Sequence, residues 1–155
     1  MKIIFLDIDG CLAPIPRPFH QDLFKVDCVK YFESIFESVP DAKIVLSSTW
    51  RIGQSIKELR KHLGKCGLSC ADRIIGKTVD YTETGEFLYL TRGQEISTWL
   101  MDQTNIESYV IIDDDIDISP HQNRWVQPKH ELGIQENDAI DCVRILKTER
   151  KRGSR

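Results

Sequence analysis

Three apolar runs in this chain each end abruptly in residues that can do chemistry. Lys2-Ile3-Ile4-Phe5-Leu6 gives way to Asp7-Ile8-Asp9-Gly10, Lys43-Ile44-Val45-Leu46 to Ser47-Ser48-Thr49, and Tyr109-Val110-Ile111-Ile112 to Asp113-Asp114-Asp115, with Asp117 close behind. In an open parallel sheet the active site forms beyond the carboxyl ends of the strands, so neighbouring strands would bring all three sets to one rim. The residue types then suit phosphoryl transfer. A carboxylate can accept a phosphoryl group and divide one hard displacement into two easier ones. Attack by an anion on a phosphate dianion is repulsive, and Asp7 with Asp113 offers the carboxylate pair by which a hard cation such as Mg2+ is usually held. Asp9 is placed to protonate a leaving oxygen and later to deprotonate a water. Gly10 permits a sharp turn and close backbone approach to phosphate. Ser48 can donate to a non-bridging oxygen, with Thr49 beside it.

Those residues need elements to hold them. Strand-like and helix-like segments alternate, which predicts a single α/β domain over residues 1–149: one Rossmann-like parallel sheet with helices on both faces. The chain has 155 residues, 41% hydrophobic and 29% charged, which is enough to build one core and ordinary for a globular domain. Helices are expected over Cys28–Val39 with Asp27 as cap, over Ile52–Leu63 with Gly64 as terminator, over Gly93–Gln103, and over Asn137–Thr148 with Ile140, Val143 and Leu146 inward. A short strand is expected at Arg73–Gly76 and a minor one at Arg124–Val126. Turn signals around Thr84-Gly85 predict a small hairpin between Lys77 and Thr91. The basic end, Arg150-Lys151-Arg152-Gly153-Ser154-Arg155, is expected to be a disordered tail.

Composition excludes several classes. A net charge of −3 gives no global attraction to nucleic acid or anionic membrane, although a local basic groove would escape that sum. No apolar segment is long enough for a signal-peptide core or a bilayer span, so a cytoplasmic protein with no membrane partner is expected. The five scattered cysteines lack paired Cys/His spacing, which argues against zinc and for reduced thiols. A receiver domain carries its acid pair after the first strand and its phosphorylated Asp after the third, an order opposite to the one here.

The run Phe5-Leu6-Asp7-Ile8-Asp9-Gly10-Cys11-Leu12 resembles the first motif of the haloacid dehalogenase (HAD) superfamily. Val45-Leu46-Ser47-Ser48 resembles the second motif, and Val110-Ile111-Ile112-Asp113-Asp114 the fourth. The wider pattern, Ser47-Ser48-Thr49-Trp50-Arg51, Arg92-Gly93-Gln94-Glu95-Ile96 with Trp99-Leu100, and Ile112-Asp113-Asp114-Asp115, is similar to small HAD domains found in bacterial RNA-repair proteins. The resemblance implies a HAD-like fold with little or no cap and Mg2+-dependent phosphomonoester hydrolysis. Asp7 would be the nucleophile and Asp9 the general acid and base. Gly10, Ser48, Thr49 and Arg92 would bind substrate, and Asp7, Asp9, Asp113 and Asp114 the metal. Arg92 or Lys77 would fill the place of the third-motif lysine, and Asp114 or Asp117 would be the outer metal ligand. Trp50 reads as packing and Arg51 as either a phosphate contact or a structural ion pair. The substrate expected is a nucleic-acid end or another large phosphoester, with Arg17, Lys77, Arg92 and the tail as cations for a polyanion. A small-molecule phosphatase such as a nucleotidase, or a non-catalytic Mg2+ and phosphate-binding module, is the alternative.

Overall fold

The computed structural model describes residues 1–18, 23–85 and 89–149; the basic tail expected at 150–155 lies outside them. Five parallel strands, β1 (Lys2–Leu6), β2 (Lys43–Leu46), β3 (Ile74–Lys77), β4 (Ser108–Ile112) and β5 (Trp125–Val126), form one sheet in the order β3-β2-β1-β4-β5. β1 lies at the centre, and its Ile3, Ile4, Phe5 and Leu6 are fully buried. Such a strand has no polar face because helices cover both sides of a parallel sheet.

Helices α1 (Val26–Ser38) and α2 (Ile56–Lys65) carry the chain outward from β1 to β3, and α4 (Arg92–Met101) returns it across the sheet to β4. Right-handed crossovers in opposite directions put their helices on opposite faces. Ile4, Leu6, Ile44, Leu46, Val110 and Ile112 accordingly pack with Phe32 of α1, Leu59 and Leu63 of α2, and Cys142 of the last helix, α5 (Glu136–Leu146). Ile3, Phe5, Val45, Tyr109 and Ile111 pack with Ile96 and Leu100 of α4. The reversal of direction occurs between β1 and β4, the topological switch at which ligands bind in such sheets. No cap is present among the described residues: those between β1 and α1 form no helix and no strand of the sheet, and a one-turn helix, α3 (Tyr81–Thr84), lies between β3 and α4.

The structure corrects five local expectations. α1 starts at Val26, and Asp27 lies inside its first turn rather than capping it, where its charge still suits the helix dipole. The second helix does not begin at Ile52. A 3-10 turn over Thr49–Arg51 and Gly53, with φ +71, intervene before Ser55 and Glu58 form a capping box. Gly64 sits inside α2, and it is Gly67, with φ +117, that follows the helix end. The expected hairpin is α3 instead: Asp80 caps it and left-handed Gly85 ends it, so the Thr84-Gly85 signal marked a helix terminus. Ile140 is 58% exposed, because α5 turns Ala139, Cys142, Ile145 and Leu146 to the core.

Candidate active site

The strand register builds the site. Leu6 pairs with Leu46 on one side and with Ile112 on the other, so the next residues, Asp7, Ser47 and Asp113, stand level on three adjacent strands. Leu6, Leu46 and Ile112 face α1, α2 and α5, so alternation turns the following side chains toward α4. Backbone bonds fix this level: the Asp7 N–H donates to Ile112 O at 3.0 Å and the Ser47 N–H to Leu6 O at 3.1 Å.

α4 delivers the cation. Thr91 and Gln94 form its capping box, which sets Arg92 at the first helical position. The Arg92 N–H donates to Asp117 Oδ2 at 3.1 Å and the Gly93 N–H to Asp117 O at 2.9 Å. Gly93 must be glycine, since a Cβ there would overlap the carbonyls of Ile118 and Ser119. The Arg92 guanidinium then lies 3.8 Å from Asp7 Oδ1, 3.6 Å from Asp113 Oδ2 and 3.8 Å from Glu95 Oε2. Lys77 points elsewhere, bound to Gln54 O at 2.6 Å, Asp80 at 3.2 Å and Glu83 at 2.6 Å. Of the two candidate third-motif cations, Arg92 therefore reaches Asp7.

Asp7 and Asp113 are both buried. Burial, helped by the charge of Asp113 and offset in part by Arg92, pushes the Asp7 carboxyl up to about 8. Burial also pushes Asp113 up to about 6, against Arg92 and the Asp115 N–H, which donates to Asp113 Oδ1 at 2.9 Å. The Asp114 carboxyl shares a hydrogen bond with Asp7 and packs on Gly10, where φ is +77 and a Cβ would land on that carboxylate. Ligand atoms of Asp7, Cys11 and Asp114 lie within 4.8 Å of one another. Among the described residues, three buried side-chain polar atoms have no hydrogen-bond partner: Ser47 Oγ, Arg92 Nη1 and Asp113 Oδ2. All three belong to residues of this site. An oxygen-rich set holding an unsatisfied carboxylate oxygen fits a hard divalent cation, and the two unsatisfied donors fit an anion.

The raised acids make stability depend on pH. An acid whose folded value exceeds its unfolded value, near 4, binds its proton more tightly in the native state. Stability therefore falls as pH rises between the two. In chelator, the melting temperature is expected to fall from about pH 5 to about pH 8, and added Mg2+ to recover part of the loss at the upper end. A thermal melt series that stays flat in chelator over that range would contradict it. Asp80 acts in the opposite sense and at lower pH. Burial works against it, but Thr82, the Gly53 N–H and Lys77 hold its carboxyl below the usual range. Its contribution is lost only as pH falls through and below the ordinary carboxylate value.

Other expected site residues are distributed differently. Ser48 is buried and caps the 3-10 turn, its Oγ accepting from the Trp50 N–H at 3.3 Å, while Thr49 is exposed. Ser47, one residue earlier, is the hydroxyl level with Asp7; the register, unlike the motif, separates the two serines. Asp9 projects outward from the Asp7 group, its Oδ2 accepting from Trp50 Nε1 at 3.0 Å and its Oδ1 lying 3.0 Å from Arg17 Nη2. Arg51 is structural: its guanidinium donates to Ser48 O, Val79 O and Glu95 Oε1 at 2.9 to 3.1 Å. Sequence reasoning gave Cys11 and Glu95 no role, and Ser47 none beyond closing its strand. Only Glu95, an acid buried one turn into a helix that starts with arginine, left a readable trace.

A model of the HAD domain in Swiss Army Knife RNA repair proteins matches residues 3–139, a span that takes in all three strand ends and α4. No curated protein and no solved structure matches the chain. With its parallel sheet, its absence of a cap among the described residues and its acids at the central strand ends, the chain belongs to the family of HAD domains found in Swiss Army Knife RNA repair proteins.

Proposed function

We propose that the protein is a Mg2+-dependent phosphatase that removes a phosphate from a nucleic-acid end through an aspartyl-phosphate on Asp7. One observation carries this reading: the unsatisfied Ser47 Oγ and Arg92 Nη1 are donors, the unsatisfied Asp113 Oδ2 is an acceptor, and all belong to the strand-end site of Asp7. Buried polar groups are otherwise almost always paired. A phosphoryl group takes the two donors and a cation takes the acceptor.

Asp7, Asp113 and Asp114 would hold the cation, whereas Asp9, also expected as a ligand, is turned outward to Trp50 and Arg17. When bound, Mg2+ supplies positive charge that offsets the repulsion between the Asp7 carboxylate and the phosphate dianion. Asp7 attacks phosphorus as the ester P–O bond breaks, and the departing oxygen takes its proton from Asp9. Water then gives a proton to Asp9 and attacks the aspartyl-phosphate, releasing phosphate and restoring Asp7. Arg92 and Ser47 orient the non-bridging oxygens throughout.

The family's link to RNA repair supports a polynucleotide end as substrate. So does the open rim: Asp9 keeps 41% of its side chain exposed, and no cap stands over it among the described residues. A non-catalytic module would have no use for Asp9 beside Asp7. Among the described residues no helix is long and apolar enough to cross a membrane, and no disulfide joins the five cysteines. A single domain over 1–149, working in the cytoplasm, accords with both.

The test is a phosphatase screen with oligonucleotides phosphorylated at the 3′ or the 5′ end, nucleotides, sugar phosphates and phosphopeptides. Turnover of an oligonucleotide end is expected with Mg2+, lost in chelator and restored by Mg2+. Full activity in excess chelator would refute the metal, and comparable kcat/KM for an oligonucleotide and its mononucleotide at low salt would refute the nucleic-acid part.

A further inference from the structure

Asp9 is held from two sides by partners of opposite character. Trp50 is fixed: its indole packs on the core against Phe24, with ring centroids 5.7 Å apart, and against His62, stacked at 5.3 Å and 25°. Its Nε1–H donates to Asp9 Oδ2 at 3.0 Å. Arg17 is a long side chain on the Pro14–Pro18 loop, 26% exposed, with its guanidinium 3.0 Å from Asp9 Oδ1 and 5.5 Å from the Trp50 ring centre. Of the described cations expected to meet a polyanion, Lys77 is bound to Gln54, Asp80 and Glu83, and Arg92 lies among Asp7, Asp113 and Glu95. Arg17 alone of these stands at the outer side of Asp9.

We propose that Trp50 is a positioning residue that aims Asp9, and that Arg17 is an exchangeable latch drawn off Asp9 Oδ1 by a second phosphate group on the substrate. The proposal rests on the phosphatase reading above and names the substrate feature that the site senses. Asp9 must present an oxygen to the departing oxygen as the ester P–O bond breaks, its electron pair staying on that oxygen and the proton arriving from Asp9. With Oδ2 on Trp50, the oxygen available is Oδ1, and Arg17 covers it. A phosphodiester next to the scissile phosphate offers the guanidinium a competing anion with the bidentate geometry that arginine favours. A polynucleotide end carries such a group and a simple phosphomonoester does not. Binding energy from the remote phosphate would thus be used at the reacting centre. Trp50, packed against Phe24 and His62, keeps its hold throughout and preserves the aim of Asp9.

The experiment compares wild type, Trp50→Phe and Arg17→Met with Mg2+ on an aryl phosphate, a mononucleotide and a trinucleotide bearing the same terminal phosphate. For Arg17→Met, the ratio of kcat/KM for trinucleotide over mononucleotide should fall by about tenfold, consistent with loss of one charge-assisted contact. For Trp50→Phe, which keeps the ring and removes the N–H, kcat should fall by about tenfold more on the nucleotides than on the aryl phosphate. The aryl leaving group needs no proton, and KM should stay within about twofold. An unchanged ratio in Arg17→Met overturns the latch, and equal losses on both leaving groups in Trp50→Phe overturn the positioning role. A readout without turnover separates the clamp from the phosphatase reading. The Trp50 indole N–H proton resonance, identified by its absence in Trp50→Phe, should shift in Asp9→Ala. If it does not move, the clamp is absent whatever the activity. If it moves but wild type turns over none of the substrates, the phosphatase reading has failed while the clamp stands.

Discussion

Asp7→Asn is expected to abolish turnover of every phosphomonoester, by on the order of 10⁴-fold or more, without unfolding the protein. The amide cannot attack phosphorus, yet it matches the carboxyl in shape and can still reach the Asp114 carboxyl with which Asp7 shares a hydrogen bond. The physical environment makes the variant diagnostic. Asp7 is buried beside Asp113 and Asp114, and its carboxyl is pushed up to about 8, so its ionised form burdens the metal-free fold. Removing that ionisation should raise the melting temperature in chelator relative to wild type, by a margin that grows from about pH 4 to about pH 8 and then levels off. An inactive variant with an equal or higher melting temperature assigns the loss to chemistry. Substantial remaining activity in a folded Asp7→Asn would remove the aspartyl-phosphate mechanism.

Arg51→Ala should produce the largest loss of stability of any single change at the site. Arg51 is 2% exposed, and its five N–H groups serve the carbonyls of Ser47, Ser48, Thr78 and Val79 together with Glu95. Glu95 also accepts from Tyr81 Oη at 3.0 Å and lies 3.8 Å from Arg92. Arg51 thus ties the turn after β2, the segment after β3 and the start of α4 into one frame. Truncating one partner of a buried pair leaves the other charge desolvated, which costs about 3–5 kcal/mol. For a domain of this length the melting temperature should fall by on the order of 10 °C. Arg51→Lys should restore little, since one ammonium cannot reproduce the planar fork. Circular-dichroism melts would check both, and a fall of under about 2 °C in Arg51→Ala would show that the frame is held elsewhere.

The same residue shows where reading along the chain reaches its limit. Ser47-Ser48-Thr49-Trp50-Arg51 announces a functional strand end, yet phosphate contact and structural ion pair remain equally compatible with an arginine at that position. The decision belongs to Glu95, which lies 44 residues away. The choice between Arg92 and Lys77 had the same form. Arg92 opens α4 and Lys77 closes β3, and only the packing of α4 on the Asp117–Ser119 loop, with Gly93 as the close contact, brings Arg92 to Asp7.

Local patterns determined what depends on near neighbours. The buried apolar runs, their alternation with helices and the abrupt change to Asp7, Ser47 and Asp113 follow from hydrophobic periodicity, which acts over a few residues. The sheet, its parallel sense and the shared rim of acids were therefore legible. Boundaries were less so: Asp27, Gly64, Thr84-Gly85 and Ile140 carry signals that several local structures can use, and tertiary packing chose among them. Only the folded structure decided the register that sets Ser47 level with Asp7, the grouping of Cys11 with Asp7 and Asp114, and the hold of Trp50 and Arg17 on Asp9. Each of these depends on distances between strands and loops far apart in the chain, and a shift of one residue in register would turn every side chain to the opposite face.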